Sequence, residues 1–416
     1  MRNLLACRPL QLACCLLILV LLGQAASQDD KQASTLLAAN EPAATKPAAN
    51  KPAAAKRADK KPTADKPAND WPLFRGNRLA QGVASSSLPK APKLLWEYKV
   101  KEGAFEATPA VVAGVVYIGD LDGSLFALKL ENGHKIWEYK IDSGFIASPA
   151  YHQERIFVGD YDGRFFCVDA KTGKKAWVFE TQAEIASSAN FYKDMVLVGS
   201  QDATLYCLKI SDGSLVWKHS IADQIRCSPT IVANRCFLAG CDGKLHIINL
   251  DKGERVAEVE LDGPTGVTPA VMGDRVYFGT EGGVFFAIDW RKAEVVWRYS
   301  DPDSPLAFRS SAAVTTDLII VGGRNKRVQA INPSDGKLSW QHTTRGGIDA
   351  SPVVVGDRVF VGGSDGRIYG LSLKDGTPGW EYETGDGFVG SPAIASGRMV
   401  LASDEGTVYC FGEKKE

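Results

Sequence analysis

Cys167-Val168-Asp169-Ala170-Lys171-Thr172-Gly173-Lys174-Lys175-Ala176-Trp177 reads as the end of one strand, a tight turn at glycine and the start of a second strand that arrives at an indole. The same sentence recurs along the chain. Trp96, Trp137, Trp177, Trp217, Trp297, Trp340 and Trp380 fall about forty residues apart, with Ala257 on the one vacant mark. A fixed period of this size describes a supersecondary unit that cannot bury its apolar face alone and must stack on copies of itself.

Working outward from the indole, each period holds four short strands. The first ends in a hydroxyl residue, Thr108, Ser148, Ser188, Ser228, Thr268, Ser311, Ser351 or Ser391. The second is a β-branched and aromatic run such as Arg155-Ile156-Phe157-Val158-Gly159, suited to a strand buried on both faces. A hairpin turn follows, Asp122-Gly123, Asp162-Gly163, Asp242-Gly243, Gly282-Gly283 or Asp365-Gly366. Asp202-Ala203 and Asn325-Lys326 stand at this turn in the third and sixth repeats, which predicts a less ideal or different geometry there. The third strand and the tryptophan strand complete the unit. No helical periodicity intervenes, so the fold class is all-β, an eight-bladed β-propeller. The last repeat stops at Cys410-Phe411-Gly412 before its tryptophan strand, and the missing piece, Leu94-Leu95-Trp96-Glu97-Tyr98, opens the array. Pairing the two closes the ring and removes two strand edges.

The 416 residues divide as a signal segment (1–27), an Ala/Lys/Pro-rich linker (28–70), a lead-in (71–93), the propeller (94–412) and a short tail (413–416). Arg2 and Arg8, the apolar run Leu12 to Leu22 and a small-residue stretch give a secretory layout, with cleavage expected after Ala25 or Ser27. No cysteine directly follows the run, so a lipid anchor is not expected. The linker lacks the apolar content to order itself, and serves as a spacer or a passive tail. A net charge of -1 offers no field for nucleic acid. Cys167, Cys207 and Cys410 share a column with Ala127, Ala287, Ala330 and Gly370, which predicts buried thiols rather than disulfides; Cys227, Cys236 and Cys241 complete the set, and the odd offset of the last two disfavours a bridge between them.

The Cys167 to Trp177 stretch resembles the tryptophan-docking motif of pyrroloquinoline-quinone (PQQ) repeat propellers, and Asp70-Trp71-Pro72-Leu73-Phe74-Arg75-Gly76-Asn77 resembles the lead-in of secreted bacterial members. The resemblance implies that the seven ruler indoles are structural wedges between blades. It also implies two kinds of relative: quinoprotein dehydrogenases and non-catalytic outer-membrane assembly factors of the BamB type. The former would stack PQQ between a channel-facing tryptophan and vicinal cysteines beside a calcium site; here the vicinal pair Cys14-Cys15 lies in the signal segment, and from Trp96 onward the one tryptophan off the ruler, Trp290, sits on an outer turn. His134, His152, His219, His246 and His342 are scattered over different blades without metal-ligand spacing. No catalytic, cofactor or metal residue is therefore expected, with PQQ and calcium as the alternative.

Two residues before the hydroxyl column stand Glu106, Ile146, Ala186, Arg226, Gly266, Arg309, Asp349 and Val389. If this column faces the central channel, Arg226 and Arg309 are anion partners, while Glu106 and Asp349 pair with them or hold a cation. The BamB resemblance implies partner contacts from a loop entering the inner strand of a middle blade, here Asp223-Gln224-Ile225-Arg226, with Ile225 and Arg226 as an apolar-plus-arginine pair. These readings predict a monomeric periplasmic or secreted scaffold whose partners are envelope proteins, including barrel-assembly machinery; the alternative is a propeller that binds a small ligand or PQQ. The vacancy at Ala257 predicts a looser contact after the fourth blade.

Overall fold

A computed structural model describes residues 69–101 and 103–414; the signal segment and the linker up to residue 68 lie outside the described residues. The described residues contain no helix and form eight four-stranded antiparallel sheets, each a blade of one β-propeller. Blade 1 shows the plan: Ala110–Val112 innermost, then Val115–Gly119, Ser124–Lys129 and Lys135–Lys140 outermost. The two middle strands are almost wholly buried, while the outermost alternates exposed and half-buried positions. Continuous apolar runs are thus spent on faces covered by the neighbouring blades.

The indole ruler is a set of inter-blade bolts. Each Nε1–H donates to a backbone carbonyl of the next unit: Trp96 to Leu130, Trp137 to Ala170, Trp177 to Ile210, Trp217 to Leu250, Trp297 to Pro333, Trp340 to Leu373 and Trp380 to Pro92, at 2.8–3.1 Å. For every indole but Trp380, the ring plane lies on the turn glycine of that unit. A Cβ built on Gly173, whose φ is +70°, would sit 2.7 Å from Trp137, so both the backbone conformation and the close approach exclude a side chain there. Across the strand pair every indole faces a small residue, as in Ala127 opposite Trp137, Cys167 opposite Trp177 and Cys410 opposite Trp96. This is why cysteine recurs in that column, and all six described cysteines are free.

Blade 4 inverts the arrangement. Ala257 faces the large Ile247, and the turn glycine of blade 5 is replaced by Ala293, which still holds φ at +56°. Trp290 from that turn packs edge-on against Phe237 of blade 4 at 5.5 Å, in one cluster with Ala257 and Ala293. The contact expected to be loose is filled by an indole sent from the opposite blade. The third and sixth hairpins also depart from expectation: Ala203 and Lys326 adopt φ of +67° and +60°, keeping the geometry that glycine supplies elsewhere. The fold retains the turn and accepts left-handed strain in an L residue.

Closure occurs as the sequence reading expects. Lys93–Lys99 pairs antiparallel with Thr407–Gly412, giving blade 8 its outer strand, and Trp96 bolts blade 8 to blade 1. Around the axis the hydroxyl column forms a second fastening. Thr108 N–H donates to Ser148 Oγ, and the same link runs Ser188 to Ser228, Thr268, Ser311, Ser351, Ser391 and back to Thr108, at 2.8–3.0 Å.

The lead-in then crosses one end of the ring. Inner strands leave unpaired N–H groups along the axis, and buried donors need acceptors. Those of Val111, Tyr151, Ile231, Val271, Val314 and Val354 donate to carbonyls of Trp71, Pro72, Arg78, Leu79, Gln81 and Gly82 in turn. Arg75, fully buried, donates from Nη2 to the carbonyls of Ala312 and Pro352. Trp71 is 2% exposed and Phe74 faces up the axis. The lead-in is a plug.

Candidate functional site at the mouth of the ring

With one end plugged, the axis is a blind cup of about 200 Å³ floored by Phe74. Its wall carries the hydroxyl column and, above it, Glu106, Ile146, Ala186, Arg226, Gly266, Arg309, Asp349 and Val389. The structure thus brings Glu106, Arg226, Arg309 and Asp349 to one opening. An adjoining open recess of about 680 Å³ lies between Arg226 and Arg309, with Asp223, Gln224, Cys241, Gly266 and Glu281 among its walls.

Ile225 is not at this surface. Its exposure is 0%, and it occupies the column of Phe105, Phe145, Ile185, Phe308, Ile348 and Phe388, all buried. All of these side chains but Phe105 cover a glycine near the end of the second strand one blade back; for Ile225 it is Gly199, where a built Cβ would lie 2.2 Å from Ile225 Cγ2. Successive side chains of an extended segment point opposite ways, so the geometry that turns Arg226 into the cup buries Ile225. The apolar-plus-arginine pair expected for a partner does not exist as a surface.

A further tier escaped the sequence reading. The residue opening each mouth hairpin, Leu121, Tyr161, Gln201, Cys241, Glu281, Arg324, Ser364 and Asp404, donates its N–H to the carbonyl two positions before the cup column, from Ala104, Gly144, Glu184, Gln224, Pro264, Ala307, Gly347 and Gly387 in order. Eight equal backbone links carry eight unlike side chains. That contrast, variability at a position flanked by repeated turn residues, was the available signal.

The two tiers polarise the mouth. Arg324 grips Asp349 through two bonds of 2.9 and 2.8 Å, and Arg309 Nε lies 3.0 Å from Glu281. Arg226 Nε donates to Gln224 Oε1 at 3.0 Å and, among the described residues, forms no ion pair. On the other side Glu106 has no hydrogen-bond partner among the described residues. Burial pushes its carboxyl above the usual range, and the like charges of Glu184 and Asp404 add to the effect. Burial likewise raises Glu184, with Arg226 opposing.

Among the described residues no group of three or more His, Cys, Asp or Glu is placed to hold a metal ion. The residues present do not fit PQQ as its resemblance demands. Seven indoles bolt blades, Trp290 donates to the carbonyl of Gly273 and packs on Phe237, and Trp71 is buried in the plug, so none presents a stacking plane at the cup. Cys14-Cys15 lie outside the described residues.

A closed ring of eight blades, fastened by indoles that land on turn glycines and capped by its own lead-in, defines a PQQ-type repeat propeller. The chain belongs to the family described as outer membrane protein assembly factor BamB, whose model matches residues 86–229, 223–348 and 324–415. Among solved structures it is similar to BamB from Moraxella catarrhalis at 19% identity, covering 78% of this chain and 98% of that one with a TM-score of 0.67. It is also similar to quinohemoprotein alcohol dehydrogenase from Comamonas testosteroni at 15% identity, covering 83% and 81% with a TM-score of 0.71. The computationally designed Ika8 protein matches at 17% identity, covering 77% and 100% with a TM-score of 0.68. At these identities the likeness is one of fold. No curated protein matches the chain. No helix among the described residues is long and apolar enough to cross a membrane.

Proposed function

We propose that the protein is a non-catalytic interaction scaffold of the cell envelope, and that the mouth is where it docks a partner protein. One observation carries this reading: Arg226 and Glu106, of opposite sign, face the same opening and neither is bonded to a countercharge. Charges that face one opening from a rigid frame suit recognition and steering of a complementary surface. Membership of the BamB family supports the envelope setting, and the barrel-assembly machinery is the partner class that membership suggests.

The immobilised full chain is expected to capture specific proteins from an envelope extract, and Arg226→Glu, with its melting temperature unchanged, is expected to lose them. Unaltered capture by that variant would remove the mouth from the interface. A quinoprotein reading makes the opposite demand: PQQ with calcium should raise the melting temperature and support dye reduction. No shift and no turnover are expected.

A further inference from the structure

The cup is lopsided in a way that specifies its occupant. Gly266 stands between Arg226 and Arg309 and leaves a notch in the wall; a Cβ built there would meet Arg226 Cβ at 3.3 Å and Cδ at 3.5 Å. Each flanking guanidinium is tethered through Nε alone, Arg226 to Gln224 Oε1 and Arg309 to Glu281. Their Nη ends carry no bond among the described residues, and paired Nη donors match a carboxylate in its plane. Of the acids that share the recess, Glu281 holds Arg309, and Asp223 Oδ1 accepts from the Gln224 N–H at 2.7 Å. Arg324 is held by Asp349 through Nε and Nη2, and its charge is matched by that carboxylate. Elsewhere on the rim Glu106, Glu184 and Asp404 lie close enough for their charges to act on Glu106, and none of the three forms an ion pair among the described residues. Arg226 acts on Glu184, while Glu106 feels the like charges of Glu184 and Asp404 only, and like charges so gathered favour an incoming cation.

Resting on the scaffold reading above, we propose that the mouth is a dipolar cup for a peptide segment of the partner that bears both charges. Its carboxylate, from an acidic side chain or a chain end, sits in the Gly266 notch between Arg226 and Arg309, and its cationic group sits against Glu106, Glu184 and Asp404. The Phe74 floor makes the cup blind, so the segment enters and leaves by the mouth. The recess volume of about 680 Å³ falls within the roughly 300–1,000 Å³ of ligand-holding clefts.

Titration calorimetry of the full chain at low salt tests the assignment with the peptide Lys-Gly-Ser-Gly-Asp. Two controls accompany it, one with Asn and an amidated end, the other with norleucine and an acetylated end. The charged peptide is expected to bind, and each neutralised control to bind about tenfold more weakly. Gly266→Val fills the notch without altering a charge and is expected to cost a similar factor; Arg226→Gln, at an exposed position, reports on the same contact if the valine variant does not fold. Equal binding of charged and neutral peptides, wild-type affinity in both variants, or no heat at millimolar peptide each overturns the cup. The two readings separate in the envelope capture: partners retained by both variants leave the scaffold standing and remove the cup, whereas a wild-type chain that captures nothing removes the scaffold itself.

Discussion

At the scale of single residues, the exchange around Ala257 shows how one packing problem can be solved from either side. The missing indole is offset by Ile247 across the strand pair and by Trp290 from the next blade. Trp290→Ala is therefore expected to destabilise the ring by about 2–3 kcal/mol, below the roughly 3–5 kcal/mol typical of a fully buried tryptophan because Trp290 is half-buried. Chemical denaturation checks this, and a change under 1 kcal/mol,, would return Trp290 to the role of a passive outer-turn residue. Glu106 gives a pH-dependent counterpart. Its carboxyl is raised in the folded protein, so the folded state holds its proton more tightly than the unfolded chain. The associated stability is present below the ordinary carboxylate range and is lost as pH rises through the raised value. Glu106→Gln is thus expected to raise the melting temperature at neutral pH, with the gain vanishing in acid. An equal gain at both pH values would mean that the carboxyl titrates normally. At this scale the sequence revealed the hydroxyl column and the cup column, because both recur at a fixed offset. It misled at Ile225, whose burial follows from strand alternation and from Gly199 one blade back, a neighbour that the local sequence does not name.

Among the elements, the lead-in differs most from its appearance in the sequence. It has no period and only isolated bridges, Trp71 to Val111 and Val83 to Val354, yet it supplies acceptors to the inner strands of six blades. Nothing in runs such as Val353-Val354-Val355 shows that their N–H groups lack a partner; the deficit exists only once the strands surround an axis. The strand pattern, by contrast, was legible because turns, alternation and the indole period all agree. Chains beginning at Asn69, at Pro92 and at Val100 separate the two fastenings. Removing the plug is expected to cost several kcal/mol, at about 1 kcal/mol per lost buried hydrogen bond together with the burial of Trp71. Removing Lys93–Lys99 as well should cost more, since blade 8 loses its outer strand and, with it, the Trp96 bolt to blade 1. Equal stability of the first two chains would show that the lead-in merely rests on the ring.

For the whole molecule, closure changes how stability is shared. An open array of repeats is held by nearest-neighbour contacts and can fray from its ends. Here the indole bolts, the seven hydroxyl links, among them the one from Ser391 back to Thr108, and the blade 8 pairing leave no end to fray. A single unfolding transition, coincident by fluorescence and circular dichroism, is expected for the intact ring, and separate transitions for the chain that begins at Val100. Two transitions in the intact ring would show that the blades act in groups.

The plug also gives the ring a front and a back. The Asn69 carbonyl accepts from the Ser396 N–H and the Asp70 carboxylate from the Ala113 N–H, both in turns at the plugged end, so the first described residues are fixed behind the ring. The charged mouth opens at the end of the ring away from the lead-in, so a partner that reaches it meets the hairpins and the cup and, of the plug, only its Phe74 floor.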